Sequence, residues 1–187
     1  PKTAAAGAAK LVTAKINISV GGYCSGATLP TLTIFEKANI PMLIPAANSA
    51  DLLKGSLKNV FLINGTGIQQ AQAAADFIKA EGSKAVALVD DNTSYSKDIT
   101  TRAAENLKTA GVTVANQQSV TAGESDYSGA VTAITRANSD FVYWTGYYQE
   151  GGLLIKQLRS AGYDGKIMVA DGAVDKQLVQ IAGQANA

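Results

Sequence analysis

The chain has 187 residues, 47% of them hydrophobic and 17% charged, with 16 basic against 15 acidic side chains. That length holds one large domain or two small ones, and the even charge, with no basic patch interleaved with aromatics, argues against a nucleic-acid partner. Histidine is absent and cysteine occurs once, which removes Ser–His and Cys–His dyads, most zinc sites and any internal disulfide.

The predicted elements alternate along the chain. An alanine-rich helix at residues 3–14 comes first, followed by a strand at 17–21, a helix at 27–38 and strands at 41–45 and 61–63. A helix at 69–80 then leads to a strand at 85–89, a helix at 97–110 and a strand at 112–115. A helix at 127–136, a strand at 141–145, a helix at 151–161, a strand at 167–170 and a helix at 176–181 complete the series. From Ala85 the strands recur about every 27 residues, the length of a βα unit. Short apolar strands separated by helices predict parallel sheets covered on both faces. No apolar run approaches the roughly 20 residues needed to cross a bilayer. Residue 1 is proline and the far end stops just past a helix, so the chain reads as a segment of a larger protein.

Glycines and small polar residues punctuate the pattern. Gly111, Gly151 and Gly162 are expected at helix borders, and Asp126 and Asn92-Thr93-Ser94 at helix starts. Asn64-Gly65-Thr66-Gly67 interrupts the alternation, and a domain crossing is placed there. It resembles a Gly-x-Gly phosphate loop, but the third glycine is missing.

The richest motif is Ser19-Val20-Gly21-Gly22-Tyr23-Cys24-Ser25-Gly26. A strand runs into glycines and a serine just before a helix, which makes an anion site from close backbone, helix N–H groups and a hydroxyl. In open α/β sheets ligands bind beyond the carboxyl ends of strands. Those ends carry Ser25 with Thr28, Ala46-Ala47-Asn48-Ser49, Asp90-Asp91 leading to Tyr95, Tyr147-Tyr148 and Asp171. Hydroxyls and amides suit a carboxylate, and carbonyls and carboxylates suit an ammonium, so the set fits an amino acid. Asp90-Asp91 is read as a solvated strand end or a helix-start device. Tyr143 and Trp144 alternate along a strand, so at most one of them faces a ligand.

Several blocks, in order over nearly the whole chain, resemble the type I periplasmic amino-acid-binding proteins of ATP-driven importers. They are Gly22-Tyr23-Cys24-Ser25, Pro41-Met42-Leu43-Ile44-Pro45-Ala46-Ala47-Asn48, Val86-Ala87-Leu88-Val89-Asp90 with Tyr95, Thr121-Ala122-Gly123-Glu124 with Asp126-Tyr127-Ser128, Asp140-Phe141-Val142-Tyr143 with Gly146-Tyr147, and Ile181-Ala182-Gly183. The resemblance is to the leucine/isoleucine/valine-binding branch. It implies a two-lobed α/β fold, parallel sheets flanked by helices, with residues 1–64 part of the first lobe and 65–187 a nearly complete second lobe.

The same resemblance implies roles by position. Ser25 would hold the ligand carboxylate, the Ala46 carbonyl would face the ammonium, and the Asn48 amide would stand where that branch has threonine. Tyr95 and Tyr147 would close over the ligand from the second lobe, and Asp171 would pair with the ammonium. The branch typically has glutamate at the Asp171 position, and the missing methylene withdraws the carboxylate by roughly 1.5 Å. That suits γ-aminobutyrate, and γ-aminobutyrate binders also resemble the chain around Asp171-Gly172. Trp144-Thr145 is a second departure, expected to reshape the pocket wall. Cys24 would pair with a cysteine preceding this chain; the alternative is a small buried cysteine.

The implied function is capture of a small amino acid in an interlobe cleft, by hinged closure, for a membrane permease of an ABC importer. The complete protein would be a periplasmic monomer with no cofactor and no metal. One alternative is the ligand-sensing domain of a receptor or regulator. Another is an enzyme with Ser25 or Cys24 as nucleophile, which the absence of histidine disfavours.

Overall fold

The computed structural model describes residues 1–186, which divide into two compact units, Pro1–Gln69 and the described residues from Gln70 onward. The first unit holds α1 (Lys2–Thr13), β1 (Ser19–Val20), α2 (Ser25–Lys37), β2 (Met42–Ile44), a 3₁₀ turn at Ala50–Leu53 and β3 (Val60–Leu62). Helix α3 (Gly67–Ala80) leads into the second unit. It is followed there by β4 (Ala85–Asp90), α4 (Ser94–Thr109), β5 (Thr113–Ser119), α5 (Ser128–Arg136), β6 (Phe141–Trp144), α6 (Tyr148–Ser160), β7 (Lys166–Val169), a 3₁₀ turn at Asp171–Ala173 and α7 (Lys176–Ala182).

Each unit has its own sheet. The first runs β1-β2-β3 and the second β5-β4-β6-β7, and every pairing is parallel. In the second unit the two-residue period of a strand sorts side chains between two cores. Val86, Leu88, Phe141 and Tyr143 face one side, with Ala71, Ala75 and Ile78 of α3 and Ile99, Ala103 and Leu107 of α4. Ala87, Val89, Val142 and Trp144 face the other, with Val131 and Ile134 of α5 and Leu154 and Leu158 of α6. Both faces are covered, which is why β4 and β6 read as continuous apolar runs rather than alternating ones. The first unit closes around Ala8, Leu32, Phe35, Met42, Ile44 and Leu52. No helix among the described residues is long and apolar enough to cross a membrane.

All seven expected strands form, with boundaries shifted by up to four residues. Strand β5 continues to Ser119, further than expected, because Asn116, Gln117 and Gln118 pair with β4 at the sheet's edge, where polar residues are tolerated. Gly111 and Gly162 follow α4 and α6 at φ +79° and +81°, the left-handed termini expected of them. Gly151 does not border a helix; it lies inside α6, where a Cβ would sit 2.7 Å from the Trp144 indole nitrogen. Close helix-to-ring approach, not a turn, is its reason for being glycine.

Asp140 clips the entries of β4 and β6 together. Its carboxylate accepts from Ser83 Oγ and from the N–H groups of Lys84 and Ala85. Partial burial works against the charge, but these donors outweigh it and hold the carboxyl below its ordinary value. The clip therefore stabilises the fold above the ordinary carboxylate pKa of about 4 and is lost as pH falls through the lower folded value. Asp140→Ala is expected to cost about 1 kcal/mol at pH 7, exposure limiting the effect. Thermal melts at pH 7 and below pH ~3 check this, the difference from the parent shrinking in acid.

Candidate functional site

In the first unit the residues at the strand ends form one hydrogen-bonded knot. Ser25 opens α2 just beyond β1 and is 1% exposed. Its Oγ accepts the N–H groups of Asn48 (3.3 Å) and Ser49 (3.2 Å), from the segment that follows β2. The Ala47 N–H donates to the Gly22 carbonyl at 2.8 Å. Both lone pairs of the Ser25 hydroxyl are thus engaged, and its own proton remains to donate to an incoming acceptor. The first amides of α2 lie beside it, as at any helix start.

Ala46 and Asn48 join this knot through their backbones. The Ala46 carbonyl accepts from Asn64 Nδ2 at 2.9 Å, leaving one lone pair for a ligand. The Asn48 carbonyl accepts from the Gly67 N–H at 2.7 Å, and the residue is 3% exposed. Sequence reasoning gave Asn64 no role beyond the interruption it belongs to. An asparagine directly after a strand was the available signal, since its side chain can bind neighbouring carbonyls.

The second unit groups Tyr95, Tyr147 and Asp171. Tyr95, the second residue of α4, is 4% exposed, and its ring lies 5.3 Å from that of Tyr147 at a tilt of 33°. Its hydroxyl donates to Asp171 Oδ1 at 2.5 Å and accepts from the Gly172 N–H at 2.8 Å. Burial, then the Asp171 charge, pushes the phenol far above its ordinary pKa and keeps it protonated. Tyr147 precedes α6, and its carbonyl accepts from the Trp144 indole N–H at 2.9 Å. Asp171 is exposed at the end of β7 and starts the 3₁₀ turn.

Several expectations are corrected. Trp144 lines no open wall: it is wholly buried in the core under α5 and α6, because its place in β6 turns it away from the Tyr143 face. Tyr143 is likewise buried, in the other core. Asp90 and Asp91 are not solvated, at 4% and 2% exposure; they work as the helix-start device. Asp91 Oδ1 accepts from the Thr93 N–H and hydroxyl, and Thr93 in turn caps α4. Cys24 is exposed, which sets aside the buried alternative.

The loop around Gly65 and Gly67 is explained without a phosphate. Thr66 Oγ1 accepts from the Gln69 N–H, and Gln69 Oε1 accepts from the Thr66 N–H, a capping box at the start of α3. Among the described residues no group of three or more Cys, Asp or Glu side chains could hold a metal.

The model of a family described as periplasmic binding protein matches residues 1–187. The chain belongs to the periplasmic binding protein family. A leucine-, isoleucine-, valine-, threonine- and alanine-binding protein of Pseudomonas aeruginosa is 31% identical over 187 residues, covering 100% of this chain and 50% of that protein. A Leu/Ile/Val/Thr-binding protein of Salmonella typhimurium is 34% identical over 185 residues, covering 98% and 51%. Among solved structures, a leucine binding protein from Thermotoga maritima superposes with a TM-score of 0.92 at 29% identity, over 97% of this chain and 52% of that one. A solute-binding protein from Rhodopseudomonas palustris in complex with 4-hydroxybenzoate shares the fold, with a TM-score of 0.88 at 19% identity over 98% and 51%. This periplasmic binding protein chain spans about half the length of the curated relatives it matches.

The knot in the first unit depends on close approach at Gly22. There φ is +107°, and a Cβ would lie 2.8 Å from Thr28 Oγ1 and 2.9 Å from its Cγ2. Gly22→Ala is expected to cost roughly 1–3 kcal/mol from backbone strain, with the clash added. Gly129→Ala in α5, where nothing lies within 4 Å of the added Cβ, should be neutral or stabilising. Chemical denaturation of the two variants checks the contrast.

Proposed function

We propose that this chain is part of a solute-binding protein that captures a small amino acid for an ABC importer and hands it to a membrane permease. A periplasmic location and a non-enzymatic role follow from the same reading. The supporting observation is the Ser25 hydroxyl, whose two lone pairs are taken by backbone amides so that its proton can be given to a carboxylate. The first unit offers a ligand carboxylate the Ser25 hydroxyl, and the second offers an ammonium the Asp171 carboxylate beside the Tyr95 and Tyr147 rings, so each charge of a zwitterion has a suitable partner in the chain. The Ala46 carbonyl keeps a lone pair for the ammonium, and Asn48 stands beside Ser25.

The relatives named for aliphatic α-amino acids favour leucine, isoleucine, valine, threonine or alanine as ligand. An exposed carboxylate at Asp171 favours such a ligand over an aromatic acid that has no amine. The short Asp171 side chain is the one observation favouring γ-aminobutyrate, whose amine lies farther from its carboxylate.

Thermal-shift measurements on the complete polypeptide with leucine, isoleucine, valine, alanine, γ-aminobutyrate and glutamate test the reading. A ligand at 100 times its dissociation constant should add about 2.7 kcal/mol of stability. Ser25→Ala should weaken binding roughly tenfold or more, the cost of removing a hydrogen bond to a charged group. Stabilisation by none of the six, or full affinity in Ser25→Ala, would count against the proposal.

A further inference from the structure

We propose that Tyr95 is a positioning residue, one that holds the Asp171 carboxylate in place and thereby sets selectivity for ligands that carry an ammonium group. The inference rests on the reading of Asp171 as the ammonium partner, and it changes the expected part played by Tyr95. The tyrosine hydroxyl has one proton to give, and that proton goes to Asp171 Oδ1. One of its lone pairs is taken by the Gly172 N–H. A hydroxyl engaged in this way cannot donate to a ligand carboxylate. It acts on the ligand through Asp171.

The surroundings show that this arrangement is built. Tyr95 is fixed from below by the core it shares with Ile99, Tyr143 and Ala170, and from the side by the Tyr147 ring. The start of its helix is pinned by the Thr93 cap and by the Asp91 carboxylate behind Thr93. At the other partner, Gly172 has no room for a side chain: a Cβ would lie 2.8 Å from the Tyr95 hydroxyl oxygen and 2.9 Å from its ring. Tyrosine at 95 and glycine at 172 are therefore one device. Asp171 is exposed, on a single turn of 3₁₀ helix, and without a fixed partner its carboxylate would sample several rotamers. Orienting it in advance removes that ordering cost from binding. Burial of the phenol, followed by the Asp171 charge, keeps the donor protonated throughout the neutral range.

The test compares leucine with 4-methylpentanoate, the same molecule without its amine, by calorimetric titration of the complete polypeptide. Tyr95→Phe keeps the ring and removes only the hydroxyl. It should lower the ratio of leucine to 4-methylpentanoate affinity about tenfold, while the affinity for 4-methylpentanoate stays the same. Gly172→Ala, which leaves Tyr95 and Asp171 in the sequence but crowds the tyrosine hydroxyl and ring edge, should lower the same ratio. A purely structural role for Tyr95 would weaken both ligands together, and that result overturns the proposal, as does an unchanged ratio in Tyr95→Phe. Asp171→Asn separates the two readings. A ratio lowered in Asp171→Asn but not in Tyr95→Phe defeats only the positioning role; a ratio unmoved by Asp171→Asn removes the ammonium assignment and the positioning role with it.

Discussion

Because every strand in both sheets runs parallel to its neighbours, the carboxyl ends of β1 and β2 share one edge, and those of β4, β6 and β7 share another. Residues far apart in sequence meet there for no reason of their own. Ser25 meets Asn48 and Ser49 because β1 and β2 are adjacent. Tyr95 meets Asp171 across 76 positions of chain because β4, β6 and β7 are consecutive in the sheet. Helices begin at these same edges, so unpaired amides and capping hydroxyls gather beside the side chains. The polar chemistry of the chain is thus concentrated by a pattern set by apolar residues.

What could be read in advance follows from this. Runs such as Ala85–Asp90 and Phe141–Trp144 announce doubly buried strands, and the glycines after α4 and α6 announce their ends. Residues after strands could be named as a site because a parallel sheet puts them at one edge. Two kinds of fact were not legible. One is which side chains satisfy one another: the Tyr95 hydroxyl serving Asp171, the Asn64 amide serving Ala46, and Thr66 and Gln69 capping each other. Such pairings depend on angles that residue type does not carry. The other is which face of a strand a large ring occupies. Trp144 stands at the end of β6, where residue type does not say whether a ring packs under the covering helices or lines an opening, and it packs with Val131 and Ile134 of α5 and Leu154 and Leu158 of α6.

Buried hydroxyls bind α4 to the sheet in a way the apolar pattern does not show. Ser96 and Thr100 of α4 both reach Thr145 Oγ1, at 3.0 and 2.7 Å, and all three residues are 0% exposed. The Asp91 N–H donates to Ser96 Oγ at 3.0 Å. A buried polar network of this kind is costly unless every member finds a partner, and once satisfied it admits few alternative packings. It fixes the helix that carries Tyr95 against the strand whose continuation carries Tyr147. The precision of the aromatic pair is inherited from hydroxyls that never meet solvent.

The burial of Trp144 has an optical consequence. It is the chain's one tryptophan, it lies entirely within the second unit, and its indole N–H is bonded to the Tyr147 backbone. Its fluorescence is therefore that of an indole shielded from water. Emission excited at the red edge of the protein absorption band reports on the second unit alone, while the first contributes nothing. Unfolding of the second unit can be followed on its own with no label added, and a disturbance of the backbone at Tyr147 is read as a change in the spectrum of a single residue.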